Sequence, residues 1–427
     1  MLHSIQAGKG GAMGPAMARA VEACVHCGFC LAACPTYREL GQEMDSPRGR
    51  IVLMKEVLEG TLTAEAARPH VDRCLGCLAC EPACPSGVPY RDLISPYRAT
   101  VGADVRPRGW ERVRRPLMAW ALPFPGRLRW AARMGRLGKA LGPMMPEALR
   151  AMLALLPDRL PPAVALPERT PARGKRRARV ALLAGCAQQV LDPDINVATL
   201  EVLARNGVEV WVPRGQGCCG GLSWHTGDLA AARGFARRNL RVFGADVDAV
   251  LTNAAGCGSA MHEYPLMLAG TPDEAAARDL AARTMDVSVF LARLGLSERP
   301  AGWRQPVRVA YHDACHLANA QGVRSEPREL LRGIPGLELV EVPDAHLCCG
   351  SAGTYNVEQP GIASSLGRQK AAAITGTGAR VVASGNIGCL TQLRLHGAGW
   401  VARHTMQVLR DGYTGAMEEP GSREAAR

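Results

Sequence analysis

The sequence reads Cys24-Val-His-Cys27-Gly-Phe-Cys30-Leu-Ala-Ala-Cys34-Pro35 near its start and, 50 residues later, Cys74-Leu-Gly-Cys77-Leu-Ala-Cys80-Glu-Pro-Ala-Cys84-Pro85. Both stretches follow the pattern C-x2-C-x2-C-x3-C-P. Thiolate is a soft ligand, and this spacing is typical of proteins that bind iron–sulfur clusters. Structural zinc sites use C-x2-C pairs, which would leave the third cysteine and the C-P of each stretch unexplained. The pattern therefore predicts an electron carrier.

The last cysteine of each stretch is expected to serve the other stretch. In two-cluster ferredoxins, the cysteine before the proline binds the second cluster instead of the first. We predict that one [4Fe–4S] cluster is held by Cys24, Cys27, Cys30 and Cys84. We predict that the other is held by Cys74, Cys77, Cys80 and Cys34.

The segment between the two stretches predicts a helix. Ser46 suits the N-cap, Pro47 suits the first helical position, and Gly60 suits the C-terminal end. Apolar residues recur between them with a helical period, at Ile51, Met54, Val57 and Leu58. We therefore expect an α-helical ferredoxin-like module instead of the small β-rich ferredoxin. Arg48 and Arg50 are predicted to be surface charges, with stabilisation of the anionic clusters as the alternative.

The other eight of the 16 cysteines form two copies of a second pattern. Each copy has a lone cysteine, a Cys-Cys-Gly and a final Gly-Cys, and the two sets are Cys186, Cys218, Cys219, Cys257 and Cys315, Cys348, Cys349, Cys389. Adjacent strand residues point to opposite faces, so each Cys-Cys-Gly is expected in a turn, where Gly220 and Gly350 adopt unusual dihedral angles. We predict that these eight cysteines are metal ligands of one or two further iron–sulfur or zinc centres.

Matching cysteines of the two copies lie 129 to 132 positions apart, which marks an internal duplication. Predicted strands alternate with predicted helices in both copies, and this alternation favours parallel α/β units whose strand-end loops gather the cysteines. We therefore expect an α+β multidomain protein. Its predicted regions are a two-cluster helical domain at 1–105, a basic helical connector at 106–179, and Cys-Cys-Gly repeats at 180–300 and 301–427.

Composition describes a globular chain of 427 residues, 47% of them hydrophobic, with a net charge of +12. The charge is concentrated in the connector, which has 18 Lys and Arg against 4 Asp and Glu. No nucleic-acid-binding motif accompanies it, so nucleic acid is not an expected partner. The connector has three tryptophans spaced ten positions apart, at Trp110, Trp120 and Trp130. The connector is predicted to dock on an acidic partner subunit or an anionic membrane. The alternative is a solvated basic layer whose tryptophans pack on the core.

The first 23 residues lack the pattern of a secretory signal, and no run of about 18 apolar residues occurs. We therefore expect a cytoplasmic protein, free or bound peripherally to the cytoplasmic face of the inner membrane. In that reducing compartment cysteines bind metals more often than they form disulfides.

The C-terminal region resembles the Cys-Cys-Gly domains of heterodisulfide reductase, of lactate-utilisation iron–sulfur proteins and of anaerobic glycerol-3-phosphate dehydrogenase. From end to end, the chain resembles the iron–sulfur subunit of bacterial glycolate oxidase. Besides both C-P motifs, the resemblance rests on Asp45-Ser-Pro-Arg-Gly-Arg-Ile51, Tyr311-His-Asp-Ala-Cys-His-Leu317 and Cys348-Cys-Gly-Ser-Ala-Gly-Thr-Tyr-Asn356.

The chain departs from the heterodisulfide reductase pattern at Ala254 and Asn386, where the C-x-x-C that ends that motif has a cysteine. Each copy thus offers four thiolates instead of five, which puts the five-cysteine cluster of that relative in doubt. His312, His316 and His346 crowd the second copy. They are expected to form hydrogen bonds around the site or to pack in loops, with direct ligation as the alternative.

No Gly-x-Gly-x-x-Gly follows a predicted strand and no P-loop occurs, so no catalytic residue is predicted on this chain. Clusters pass single electrons, whereas oxidation of a 2-hydroxy acid releases two, so a flavin on another subunit is the natural converter. The resemblance implies an electron-transfer subunit of a flavin-dependent glycolate (2-hydroxy acid) dehydrogenase or oxidase. It would take electrons from FAD-binding flavoprotein subunits and pass them to a quinone-type acceptor.

Three alternatives stay open. One is a heterodisulfide-reductase-like module in which the Cys-Cys-Gly site is itself the catalyst. Another is the iron–sulfur subunit of a lactate or glycerol-3-phosphate dehydrogenase. The third is a zinc scaffold that organises a complex.

Overall fold

The computed structural model describes residue 5 and residues 7–105, 107, 109–139, 147–244 and 246–415. The other parts of the predicted regions, at 1–4, 6, 106, 108, 140–146, 245 and 416–427, lie outside the described residues. Helices and two separate sheets make up the fold, so the predicted mixed α+β class is confirmed.

The N-terminal region is helical, and residues 7–105 contain no strand. A 3-10 turn at Ala7–Met13 comes first, and the helices are α1 (Gly14–Glu22), α2 (Phe29–Ala33), α3 (Pro35–Leu40), α4 (Pro47–Glu59), α5 (Ala64–Asp72) and α6 (Arg91–Ala99). Shorter 3-10 turns lie at Glu43–Asp45 and Val101–Asp104. Met17, Met54, Leu58 and Leu93 form much of one buried apolar cluster between α1, α4 and α6. This core holds the two cysteine loops in place.

Helix α4 has the predicted start, buried face and end. The Ser46 hydroxyl accepts a hydrogen bond from the Gly49 N–H at 3.0 Å, which satisfies a donor in the first turn. Pro47 is the first helical residue, and Gly60 ends the helix with a φ of 88°. The predicted apolar face is buried, at Ile51, Met54, Val57 and Leu58.

The connector begins with a helical hairpin of α7 (Glu111–Ala121) and α8 (Pro125–Gly138), followed by α9 (Glu147–Ala154). Pro123 and Pro125 separate the first two helices, because proline cannot continue a helix from within. The end of the connector is not helical. Strand β1 (Arg169–Thr170) pairs antiparallel with the first sheet of the following repeat.

Both Cys-Cys-Gly repeats are α/β units with the same strand order. The elements of the first are β2 (Ala178–Leu183), α10 (Gln188–Leu191), α11 (Asp194–Arg205), β3 (Val208–Trp211), α12 (Gly221–His225), α13 (Leu229–Val242), β4 (Ala249–Thr252), α14 (Ala255–His262), α15 (Tyr264–Met267), α16 (Glu274–Arg283), β5 (Thr284–Asp286) and α17 (Val287–Leu294). The elements of the second are β6 (Val307–Tyr311), a π-helical turn (His316–Ala320), α18 (Ser325–Arg332), β7 (Leu337–Glu341), α19 (Tyr355–Glu358), α20 (Pro360–Thr375), β8 (Val381–Ser384), α21 (Ile387–His396), β9 (Val401–His404) and α22 (Thr405–Thr414).

The sheets run β1-β3-β2-β4-β5 and β7-β6-β8-β9, and every pairing except that of β1 is parallel. One buried apolar cluster spans both, from Val180 and Leu251 to Val309, Val381 and Leu409. All eight Cys-Cys-Gly cysteines follow the carboxyl ends of strands, where open α/β sheets bind ligands.

Helices α11 and α22 join the two repeats. The Asn206 amide donates to the Tyr413 hydroxyl at 3.0 Å, and the Arg410 guanidinium pairs with the Asp194 carboxylate at 2.6 Å. The repeats are therefore held in one fixed arrangement. Among the described residues, no helix is long and apolar enough to cross a membrane.

Candidate metal centres

The first cavity collects cysteines from both C-P motifs. Its lining includes the thiols of Cys24, Cys27, Cys30 and, from the second motif, Cys84 and Cys80. Burial is the main cause that raises the pKa of Cys24, and the neighbouring Cys84 and Cys27 thiols raise it further. The structure thus places Cys84 beside the first three cysteines of the other motif.

A second, more deeply buried group lies beside the first. Burial raises the pKa of Cys80, and its neighbours Cys77, Cys74 and Cys34 add to that rise. The Cys34 thiol comes from the first motif, so the fourth cysteine of each motif lies against the first three of the other.

Matching left-handed backbone positions shape both cluster loops. In the first loop they are His26 (φ 57°) and Gly28 (φ 85°), and in the second they are Gly76 (φ 65°) and Leu78 (φ 57°). The Gly76 N–H donates to the Cys74 Sγ at 3.4 Å. Each loop thus has one glycine and one other residue in the left-handed region, which residues other than glycine rarely adopt.

Arg50 is buried, so the prediction that it is a surface charge is wrong. Only 1% of it is exposed, and its guanidinium donates to the His70 carbonyl at 2.7 Å and to the Cys34 Sγ at 3.8 Å. It also lies 3.5 Å from the buried Asp45 carboxylate. Although burial raises the pKa of Cys74, the charges of Arg50 and Arg98 together with hydrogen bonds from Gly76 and Tyr90 more than offset it, so the pKa lies below its usual value. Arg50 thus places a positive charge at the second thiol group.

Arg48 is half-buried and faces the first cluster loop. Its guanidinium donates to the His26 carbonyl at 2.9 Å and pairs with the Glu43 carboxylate at 2.8 Å. It therefore helps to hold the loop that carries Cys24 and Cys27.

The first Cys-Cys-Gly copy gathers all four of its thiols. The Sγ atoms of Cys186 and Cys218 lie 3.7 Å apart, and the Cys219 thiol lies beside those of Cys218 and Cys257. The turn has the predicted form, because Gly220 has a φ of 82° and donates its N–H to the Cys218 Sγ at 3.4 Å.

The second copy repeats this arrangement. The Cys315 and Cys348 thiols lie beside each other, and the Sγ atoms of Cys349 and Cys389 lie within 4.8 Å of each other. Gly350 has a φ of 86° and donates its N–H to the Cys348 Sγ at 3.4 Å. Burial and thiol neighbours raise the pKa of Cys315 and Cys349, so the group cannot ionise fully without a compensating cation. Such a donor set fits a metal centre.

A buried lysine distinguishes the second copy and was not found from the sequence. Lys370 is 3% exposed, donates to the Asp344 carbonyl at 2.7 Å and interacts electrostatically with Cys349 and Cys348. Ala232 packs on Gly220 in the first copy as Ala363 packs on Gly350 in the second. Asn239 follows Ala232 by seven positions, as Lys370 follows Ala363, so Asn239 is the counterpart of the lysine. A lone lysine in an amphipathic stretch gives no signal of this role.

The three histidines near the second copy have different surroundings. Only His312 lies among the thiols, with a ring nitrogen and the Sγ atoms of Cys349 and Cys389 within 4.8 Å of one another. His316 instead contacts the Gly76 carbonyl at 3.0 Å, and His346 is exposed. Of the three histidines, His316 therefore has the expected hydrogen-bonding role.

The second cluster group and the second Cys-Cys-Gly copy touch each other. Cys77 interacts electrostatically with Cys315 and Cys348. The Asn319 amide donates to the Cys77 carbonyl at 3.0 Å, and the Tyr355 hydroxyl donates to the Arg73 carbonyl at 3.0 Å. Twelve thiols thus form a continuous series of three neighbouring groups.

Comparison with known proteins places these groups in a class. A family profile described as "4Fe-4S dicluster domain" matches residues 20–88, and one described as "Cysteine-rich domain" matches residues 180–262 and 309–394. The fold and the thiol groups thus define an iron–sulfur protein that joins a dicluster domain to two cysteine-rich domains.

Individual relatives show which family within this class the chain belongs to. The chain is 38% identical to the glycolate oxidase iron–sulfur subunit of Escherichia coli, over 91% of this chain and 93% of that protein. It is 37% identical to the probable glycolate oxidase iron–sulfur subunit of Bacillus subtilis, over 87% of this chain and 88% of the relative. The lactate utilization protein A of Geobacillus thermodenitrificans is 33% identical over 50% of this chain and 90% of its own length. The chain belongs to the family of glycolate oxidase iron–sulfur subunits, which confirms the resemblance seen in the sequence.

Proposed function

We propose that this chain is the electron-transfer subunit of a flavin-dependent glycolate (2-hydroxy acid) dehydrogenase, with substrate oxidation on FAD-binding partner subunits. The observation that carries this function is the packing of Cys77, Cys348 and Cys315 in one buried cluster, since it makes three of the four thiol groups a continuous series. The names of the relatives, which are glycolate oxidase iron–sulfur subunits, support the substrate.

In this proposal the four groups of thiols hold four centres. Two [4Fe–4S] clusters would be bound by Cys24, Cys27, Cys30, Cys84 and by Cys74, Cys77, Cys80, Cys34. The Cys-Cys-Gly copies would each hold an iron–sulfur or zinc centre through Cys186, Cys218, Cys219, Cys257 and through Cys315, Cys348, Cys349, Cys389. When bound, such clusters supply one-electron chemistry.

The chain's own residues would stabilise the extra negative charge that each electron brings. N–H groups of Gly76, Gly220 and Gly350 point at cysteine sulfurs. Hydrogen bonds to sulfur and nearby charge are what a protein uses to set a cluster's potential. Arg50 and Lys370 add buried positive charge beside the second cluster and the second Cys-Cys-Gly copy.

Electrons would enter or leave at the first cluster, the one nearest the surface. Cys27 is exposed there, and its neighbours Val25 and Phe29 are 63% and 67% exposed. Exposed apolar side chains next to an accessible ligand suit a docking partner that exchanges electrons over a short distance.

The connector would dock the chain to the cytoplasmic face of the inner membrane, where a quinone-type acceptor is found. Helices α7 and α8 expose an apolar face made of Trp110, Val113, Leu117, Trp120, Trp130, Met134 and Leu137. All three tryptophans are exposed, which supports docking over the alternative that they pack on the core. Arginines at 112, 127 and 133 are exposed on the same hairpin, which suits an anionic surface.

A lactate dehydrogenase subunit is the second candidate, favoured by the relation to lactate utilization protein A. The experiment that decides is anaerobic co-purification of the chain with its flavoprotein partners, followed by addition of glycolate, lactate or glycerol 3-phosphate. Glycolate should bleach the iron–sulfur absorption and drive reduction of a dye. A complex lacking this chain should still reduce its flavin but not the dye.

Two results would contradict the proposal. One is a purified chain that contains zinc but no iron, which would favour the scaffold alternative. The other is iron–sulfur absorption that glycolate leaves unchanged while the partner flavin is reduced.

A further inference from the structure

The two Cys-Cys-Gly copies differ at one buried position next to their thiols. Three residues before the lone cysteine, the first copy has Leu183 and the second has His312. Each side chain is 1% exposed. His312 continues strand β6, and its N–H donates to the Ala383 carbonyl at 2.9 Å. A leucine is satisfied by burial alone, whereas an imidazole has two ring nitrogens that need partners.

Both ring nitrogens of His312 are buried without a hydrogen-bond partner in the part of the chain that the structure describes. Leaving a buried polar group unsatisfied costs about 1–3 kcal/mol, so such groups nearly always have a partner. One of the two ring nitrogens lies within 4.8 Å of the Cys349 and Cys389 Sγ atoms. A metal bound by these thiolates would give that nitrogen the missing partner.

The imidazole ring of His312 is a donor of the kind that metals bind. Neutral imidazole is a ligand of zinc, and histidine replaces cysteine on one iron of some iron–sulfur clusters.

The residues around the thiols offer one more donor atom in the second copy, where His312 stands in place of Leu183. Asn386 turns its amide nitrogen to the Cys389 Sγ at 3.4 Å, so it acts as a hydrogen-bond donor to a ligand and not as a ligand. The first copy has Ala254 at the corresponding place, and Leu183 offers no donor atom.

We propose that His312 binds the metal of the second Cys-Cys-Gly centre through a ring nitrogen, so that this centre has mixed sulfur and nitrogen ligands while the first has sulfur ligands only. The inference rests on the proposed occupation of the second copy by a metal. It makes the two centres chemically different although their cysteine patterns match.

Pulsed EPR of the full chain, prepared anaerobically and labelled with 15N-histidine, tests the inference. The native chain should give the hyperfine coupling of a nitrogen bonded to iron. His312→Leu, which introduces the first copy's residue, should abolish the coupling and weaken metal retention against a chelator by at least about tenfold. His346→Leu, at an exposed histidine, should change neither. If the centre holds zinc, X-ray absorption at the zinc edge should contain a nitrogen shell at about 2.0–2.1 Å that His312→Leu removes.

His312→Cys keeps the test decisive if the leucine variant folds poorly. It should retain the metal through a sulfur ligand while the nitrogen signal disappears. The role of His312 would be overturned if the second Cys-Cys-Gly centre held metal but had no bonded nitrogen. It would also be overturned if the nitrogen signal were unchanged in both variants. Either result would leave the proposed function intact. Unchanged metal content in Cys349→Ser would instead show that the second copy holds no metal, which is a failure of the proposed occupation itself.

Discussion

Two regions of this molecule contain a duplicated cysteine motif, and they use the duplication in opposite ways. In the N-terminal region, each motif places its fourth cysteine in the other motif's group, as Cys84 and Cys34 do. In the C-terminal region, each copy keeps its four thiols together. Duplication thus produced one interlocked module and one pair of self-contained units.

The size of the supporting structure explains the difference. The N-terminal motifs lie on short loops between small helices, and the C-P step turns the fourth cysteine away from its own loop. Each C-terminal copy has its own parallel sheet, whose carboxyl edge gathers loops that are distant in sequence. Each copy can therefore complete a site alone.

The largest expected effect comes from breaking the interlocking. Cys84→Ser should destroy the cluster on the Cys24 loop, and Cys34→Ser the one on the Cys74 loop, each with a loss of about four irons. The two clusters can be told apart because Cys27 is exposed while Cys77 and Cys80 are buried. Cys34→Ser should keep the cluster beside the exposed Cys27, and Cys84→Ser should keep the buried one. A water-soluble relaxation agent should therefore broaden the remaining EPR signal of Cys34→Ser more than that of Cys84→Ser. The reverse result would mean that each motif completes its own cluster.

Because each Cys-Cys-Gly copy completes its own thiol group, we expect the C-terminal region to fold and bind metal without the N-terminal region. A chain of residues 165–427, made anaerobically, should fold and retain about one metal centre per copy. It begins before β1 because the Val212 N–H donates to the Glu168 carbonyl at 2.8 Å. Within the fragment, Cys257→Ser should empty only the first copy, as read by metal analysis. A well-folded fragment without metal would contradict the independence.

Helix α4 offers a test of what holds the interlocked module together. Arg50→Met should destabilise the N-terminal region by about 3–5 kcal/mol, because it leaves the Asp45 carboxylate with fewer buried partners. Arg136→Met, at a partly exposed arginine of α8, is the matched control and should change stability little. Chemical denaturation followed by cluster absorption measures the effect, and equal stability of both variants would remove Arg50 from this role.

Membrane docking by the connector is expected to have a smaller effect. Replacing Arg112, Arg127 and Arg133 by Gln should weaken co-sedimentation with anionic liposomes by about 1 kcal/mol per charge at low salt. Added salt should reduce the difference, because screening shortens to about 8 Å at physiological ionic strength. Arg114 and Arg115 are left unchanged, since Arg114 donates to the Val357 carbonyl at 3.2 Å and Arg115 pairs with Asp72 at 3.5 Å. Binding that is equal for neutral and anionic vesicles would rule out the electrostatic part.

The smallest expected effect compares the two Cys-Cys-Gly copies. Lys370→Gln removes a positive charge beside Cys349, so it should lower the reduction potential of a redox-active second centre by about 60 mV, a tenfold change for one electron. The first centre, where the Asn239 amide donates to the Cys218 carbonyl at 3.0 Å, should be unaffected. Lys370→Arg should preserve the potential, and Lys175→Gln, at an exposed lysine, is the control. Equal shifts at both centres in a redox titration would contradict a local charge effect.

The sequence alone determined the parts of this protein that depend on local spacing. The caps and apolar period of α4 specified a helix, and the cysteine offsets revealed the duplication, because both depend on residues near each other in the chain. The glycine of each Cys-Cys-Gly turn could be recognised for the same reason.

Only the tertiary structure decided which side chains become buried beside the thiols. Arg50 and Lys370 look like ordinary surface charges in the sequence, and His312 is one of three similar histidines. Their roles follow from packing between elements far apart in the chain, which also brings Cys77 against Cys315. Burial strengthens electrostatic interactions and leaves unpaired polar groups costly, so these distant contacts set the chemistry of the centres.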